Sequence, residues 1–308
     1  LNAITLQEPF RALFYTPFYA ALARGDFARA GVAVTLITVG EPDRAVANLR
    51  SGAADLAWSG PMRVIRDHAN NPGGPLAGSL ASPLVSFGAV VMRDPFLLVG
   101  RGARPGFTLA ELPRLRLGVV SEVPTPWWCL QRDLIGLGIA PASLDTVTGR
   151  TMGENTAAVL AGGLDLAQVF EPFASEAIAQ GCTVWHAQAE RGPTSYTAFY
   201  ATRAMLAERR PAMLGMIRGL AAMQAWLHAA TPAEIAATVA PYFEGMPGAV
   251  LESGIARYQA LGIWARTPHF PPDAYAALED AMLAAGAIPR APGFAACIDN
   301  GVVAEALA

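Results

Sequence analysis

The chain has 308 residues, 53% of them hydrophobic and 15% charged, with a formal net charge of −3. That balance describes a globular chain with room for one large core or two medium ones, and excludes a disordered segment. All 22 basic residues are arginine; they are interspersed with acids and form no basic stripe, which argues against a nucleic-acid partner, and no apolar run approaches the roughly 18 residues of a membrane helix.

In chain order, residues 4–6 read as a short strand followed by a loop over 7–15. Thr16-Pro17 has the form of an N-cap with proline at the first helical position, opening a helix to about residue 30 that Gly31 closes. A second strand follows over 32–37, a helix opened by Pro42 and ended at Ser51-Gly52, and a third strand over 54–58. Gly60-Pro61 opens a third helix, which stops before the turn cluster at 70–74. Two strands over 85–92 and 96–99 flank a turn at Arg93-Asp94-Pro95.

The same order then recurs: strand 115–120, a helix from Thr125-Pro126 to about 137, strand 144–147, helix 154–160, strand 164–170 and a helix capped by Glu171-Pro172. Strands over 182–186 and 195–201 complete this copy. The two copies also match residue by residue. Thr16-Pro17-Phe18-Tyr19 corresponds to Thr125-Pro126-Trp127-Trp128, and the stretch from Ala45 to Pro61 corresponds to that from Asn155 to Pro172. Two copies of so long a unit do not make a solenoid; they fit two homologous α/β lobes, each a doubly wound sheet with flanking helices. Beyond Thr202 the chain is almost wholly helical, clearest over 211–228, 232–239 and 249–260, a segment expected to pack on the first lobe and tie the lobes together. The expected division is 1–99 with 202–308 for the first lobe and 100–201 for the second, with hinges near 99–106 and 200–203.

Four X-Pro corners follow strands, at Thr16, Gly60, Thr125 and Glu171. Proline at a helix start leaves the next N–H groups pointing forward without intrahelical partners, a seat for a carboxylate or sulfonate if corners from both lobes face one cleft. Aromatics crowd these corners: Phe10, Phe14, Tyr15, Trp58, Trp127 and Phe170. Their faces suit a planar ligand, although an aromatic at helical spacing is more often core. Glu8, Glu122 and Glu171 stand at strand ends, where a carboxylate caps a helix or accepts a ligand N–H. Arg11 and Arg63 are cations for an anion, or ordinary surface arginines; Ser59, Gly60, Ser121 and Thr125 complete the candidate set. Cys129, Cys182 and Cys297 have no metal-ligand spacing and the four histidines avoid the corners, so neither metal nor cofactor is expected. No nucleophile elbow, metalloprotease helix, P-loop or dinucleotide fingerprint is present.

The stretches 16–32, Leu49-Arg50-Ser51-Gly52-Ala53-Ala54-Asp55, 165–173 and 196–202 resemble the nitrate/sulfonate/taurine group of ABC-transporter solute-binding proteins, a group that also takes in pyrimidine-precursor binders and yeast-type pyrimidine synthases. The resemblance implies a type II periplasmic-binding-protein fold: a monomeric receptor that closes over a small solute and delivers it to a membrane permease. It implies export to the periplasm, with a signal segment outside this chain. It places ligand contacts in 7–15, 58–61, 121–127 and 170–171. The synthases carry a lysine and a histidine after the third strand and a cysteine-rich stretch, where this chain has Ser59 and Arg63 and no cysteine cluster. That departure argues against the synthase activity. An enzyme on the same scaffold, acting on a small aromatic or pyrimidine, is the competing reading, and a cytoplasmic ligand sensor is a third.

Overall fold

The computed structural model describes residues 2–40, 42–70 and 83–308; of the turn cluster expected at 70–74, all but Asn70 lies outside them. The ten described strands are β1 (Asn2–Glu8), β2 (Val32–Thr38), β3 (Leu56–Ser59), β4 (Leu84–Val91), β5 (Leu97–Arg101), β6 (Arg116–Gly118), β7 (Asp145–Val147), β8 (Leu166–Val169), β9 (Cys182–Ala187) and β10 (Thr197–Thr202). They form two sheets of five, in the orders β2-β1-β3-β10-β4 and β7-β6-β8-β5-β9.

The sequence repeat is reproduced as a repeat of wiring. In each sheet the first strand of the unit lies parallel between the second and third. A strand from the other half of the chain is then inserted antiparallel between the third and fourth. One motif residue does the same work in both lobes. Asp55 accepts the Thr5 N–H at 2.7 Å, and Asp165 accepts the Arg116 N–H at 2.7 Å. Each carboxylate thereby locks the entry of the third strand to the first, satisfying a backbone donor that the sheet leaves over.

The expected lobe boundaries and the first helix need correcting. Residues 97–99 belong to the second sheet and 197–201 to the first, because β5 and β10 are the inserted strands. The crossings between lobes therefore lie at 92–96 and 188–196, upstream of the expected positions. The helix from Thr16 is broken: it ends at Ala23, Gly25 takes a left-handed φ of 71°, and a short turn of helix resumes at Asp26–Arg29. Asp26, almost fully buried, holds that break by pairing with Arg24 at 3.0 Å and with Arg29.

Nor do the corner prolines all sit at the first helical position. Pro17 and Pro126 are second in their helices, Pro61 precedes the helix Met62–Asn70, and Pro172 follows a cis peptide and stands before the helix Phe173–Ala179. Thr16 does not cap: its hydroxyl donates to the Leu13 carbonyl at 2.7 Å.

The C-terminal segment lies along the β4 edge through bridges from Ser86 to Ile298 and Val91 to Trp264. Its helix Gly248–Leu261 touches both Leu13–Tyr15 of the first lobe and Phe173–Ala179 of the second, and Pro272–Ala284 packs on Thr125–Gly136. No described helix is long and apolar enough to cross a membrane.

Candidate functional site

The carboxyl ends of β1, β3, β6 and β8 face one another across the seam between the lobes, the place where open α/β sheets gather ligands. A cavity of about 50 Å³ remains there. Phe10, Phe14, Tyr15, Ser59, Gly60, Met62 and Arg63 line it from the first lobe; Val123, Pro124 and Thr125 line it from the second, and Tyr196 from the returning crossing. Arg63 is the single charged side chain in this lining.

The polar groups around this cavity are ordered by one another. Arg63 Nε donates to the Ser59 hydroxyl at 3.2 Å, and both groups lie near enough to the Tyr15 phenol to act on it. Burial drives the Tyr15 pKa well above that of a free tyrosine, with Arg63 and Ser59 pulling it back. Tyr15 thus stays a neutral phenol at any ordinary pH. The wall combines aromatic faces, hydroxyls and one guanidinium, a chemistry that receives an anion on an apolar or planar body. The backbone donors expected at the corners are largely spent. Arg63 N–H bonds to the Gly60 carbonyl, Trp128 to Pro124, Ala174 to Phe170, and Ser175 to the Glu171 carboxylate.

The two lobes touch through aromatics. The Phe14 and Phe170 rings meet edge to face at 5.3 Å, Phe170 meets Phe96 in the same way at 5.3 Å, and Phe14 lies 4.4 Å from Tyr15. Beyond this wall opens a groove of about 590 Å³ between Arg11, Leu13 and Thr38 on one side, Phe170 and Phe173 on the other, and Tyr242–Glu244 from the C-terminal segment. A hollow of about 720 Å³ on the first lobe, near Val46, Arg50 and Arg66, is larger. It lies on one lobe alone, whereas the seam cavity is lined from both, so the seam is the better candidate.

Several expected residues serve the scaffold. Glu8 is fully buried and saturated, accepting from Tyr19 at 2.6 Å, Thr38 at 2.7 Å and Arg11 at 2.8 Å. Arg11 reaches on to the Tyr242 carbonyl at 2.8 Å, so it fastens the C-terminal segment to the β1 loop. Trp58 was expected to offer a ring to the cleft; instead it is fully buried, stacked on Phe18 at 4.3 Å with planes 2° apart. Trp127 packs on the core of the second lobe. Ser121 donates to the Arg150 carbonyl and Glu122 accepts the Met152 N–H, which ties the β6 loop to the next helix.

Glu171 caps its helix through Ser175 N–H at 2.9 Å and pairs with Arg257 at 3.0 Å, while its own N–H donates to the Tyr258 hydroxyl at 2.9 Å. Burial raises the Glu171 pKa, opposed by Arg257 and Ser175. Val123 and Pro124 line the cavity from within the expected stretch 121–127, although neither is in the candidate set, and Met62 adjoins the expected stretch 58–61; Tyr196 lies outside every expected contact stretch. Tyr196 carried no local signal, because it reaches the cavity from a crossing.

Residues 14–169, just over half the chain, match the sequence model of the NMT1/THI5-like family. No curated protein matches the chain in sequence. Among solved structures, the periplasmic aliphatic sulphonate binding protein SsuA from Escherichia coli is 17% identical with a TM-score of 0.72, the match covering 94% of this chain and 95% of that one. The alkanesulfonate-binding SsuA from Xanthomonas axonopodis pv. citri, bound to MOPS, is 16% identical with a TM-score of 0.68 over 99% and 98%. The desulfurization enzyme DSZB is 13% identical with a TM-score of 0.68 over 100% and 99%. At such identities the likeness speaks for the fold: a two-lobe α/β fold of periplasmic-binding-protein type.

Proposed function

The chain belongs to the NMT1/THI5-like family, and from that premise we propose that it is the solute-binding receptor of an ABC importer, working in the periplasm with a membrane permease. The observation that carries this reading is the seam, where strand ends of two identically wired lobes converge on an aromatic wall with Arg63 as its one charge. The solute is a small organic molecule with an anionic group, a planar ring, or both. The cavity of about 50 Å³ holds one or two waters, whereas small-molecule sites span about 300–1,000 Å³. The lobes must therefore open to admit a ligand, turning about the crossings at 92–96 and 188–196, and separating Phe14 from Phe170 so that a ligand takes the place of their contact.

Sulfonate-binding neighbours on the same fold support the anionic half of this reading. The neighbour named a desulfurization enzyme keeps a second reading open, a catalyst for a small molecule on the same scaffold. Native mass spectrometry of the purified protein, followed by a thermal-shift panel of alkanesulfonates, aromatic acids and pyrimidines, separates the two. A receptor carries or binds one of them unchanged, and a ligand at 100 times Kd adds about 2.7 kcal/mol of stability. Chemical conversion of a bound compound would overturn the receptor in favour of the enzyme, and a panel without any shift would overturn the proposed ligand class.

A further inference from the structure

The two crossings run side by side between the lobes. Backbone bonds join them at both ends: Gln188 N–H to the Phe96 carbonyl at 3.0 Å, Thr194 to Met92 at 2.9 Å and Tyr196 to Val91 at 2.8 Å. Between these bonds lies the carboxylate of Asp94, with no solvent exposure. Its Oδ1 accepts the Phe96 N–H at 2.9 Å. Its Oδ2 accepts Gln188 Nε2 at 2.9 Å, the Tyr196 hydroxyl at 2.6 Å and Arg191 Nη1. One buried carboxylate on the first crossing thus takes three donors from the second.

The same donors lead outward to the seam. Arg191 grips Asp133 on the helix Thr125–Gly136 with Nε at 3.0 Å and Nη2 at 2.6 Å. Gln188 accepts from Gln168 Nε2 at 2.6 Å, and Gln168 donates also to the Pro126 carbonyl at 3.0 Å, next to Thr125 in the cavity wall. The Tyr196 ring is itself part of that wall.

We infer that Asp94 is a positioning residue: it holds the two crossings at the closed angle between the lobes and fixes Tyr196 and the Thr125 corner in the arrangement that lines the cavity. This rests on the reading of the protein as a receptor that opens and closes. The physical reason is over-determination. A buried carboxylate must keep its donors, and donors from several points of the second crossing meet it together in only a narrow range of crossing torsions. Rotating the lobes apart changes those torsions and withdraws at least one donor, so the carboxylate favours one discrete angle over a continuum.

The test measures lobe separation in the full-length protein without ligand. Spin labels go on Ser51→Cys and Ala161→Cys, exposed and equivalent positions of the two lobes; Cys129, Cys182 and Cys297 are buried and stay unlabelled. Pulsed dipolar spectroscopy then compares the unsubstituted background with Tyr196→Phe and Asp94→Asn. Tyr196→Phe removes one donor without opening a void, and serves alone if Asp94→Asn fails to fold. The expected result is a single short distance in the background, and in Tyr196→Phe a longer component with the closed-to-open ratio lowered about tenfold, the worth of a hydrogen bond to a charged group. Asp94→Asn lowers the ratio further. Two outcomes overturn the proposal: a background already open, or variants with lower melting temperatures but an unchanged distance distribution, the signature of a merely structural network. Failure of the receptor reading appears elsewhere, as an empty ligand panel with the unsubstituted protein, and leaves the distance comparison intact.

Discussion

Replacing Arg257 with methionine leaves the Glu171 carboxylate buried without its counter-charge. Glu171 is fully buried; Oε1 accepts from Arg257 Nη1 at 3.0 Å and Oε2 from Ser175 N–H at 2.9 Å. Removing one partner of a buried pair costs about 3–5 kcal/mol. Arg257 keeps 22% of its side chain exposed, and methionine refills the volume of its stem, so the lower end, about 3 kcal/mol, is expected at pH 8. The loss must depend on pH. Burial already holds the Glu171 pKa above its ordinary value. An acid with a higher pKa when folded binds more protons in the folded state, so its contribution is complete below the unfolded value and is lost as pH rises through the folded value. Removing the arginine raises the folded value further and widens that window upward. Urea denaturation should find Arg257→Met near wild type at pH 5 and about 3 kcal/mol weaker at pH 8. Adding Glu171→Gln deletes the charge and should restore most of the deficit at pH 8. A deficit equal at both pH values, or a double variant no better than the single, would refute the reasoning.

Gly254 sits where the helix Gly248–Leu261 crosses the seam, and a Cβ there would lie 2.5 Å from Leu13 Cδ2 and 3.3 Å from Glu171 Cβ. Gly254→Ala should cost about 1–3 kcal/mol by overpacking; wild-type stability in urea would show that the seam yields freely. Trp58→Ala should cost about 3–5 kcal/mol as a core deletion, and a loss of affinity without loss of stability would return Trp58 to the ligand site. Arg63→Gln should weaken anionic ligands about tenfold, the loss of a charged hydrogen bond, and leave neutral pyrimidines unchanged. Calorimetry checks this, and an equal loss for both classes would mean that Arg63 shapes the wall without reading charge.

The presence of two similarly wired α/β sheets was legible because it rests on repetition. Asp55 and Asp165 stand at matching places in the sequence, and each locks its third strand to its first. The crossings were not legible. A hydrophobic run such as Leu97–Val99 looks the same whichever sheet receives it, and Arg93-Asp94-Pro95 reads as the turn of a hairpin. In the fold that turn carries the carboxylate joining both crossings.

The corners were found for a sound reason, since strand ends in α/β lobes face the seam, but the direction of individual side chains was beyond reach. Successive residues of a strand point to opposite faces, so of the two expected contacts Trp58 and Ser59 only one can reach the cleft, and the sequence does not say which. Packing sends Trp58 onto Phe18 and Ser59 into the cavity. Composition, periodicity and the internal repeat thus determined by themselves that this protein has two α/β units of the same strand-helix order, because those features are local and occur twice. Only the tertiary structure decided which strands change lobes, that Glu171 pairs with Arg257 and Asp94 with Arg191 and Tyr196, and which face of each corner is turned to the seam. Those outcomes depend on contacts between segments 86 to 102 residues apart, for which a sequence carries no periodic signal.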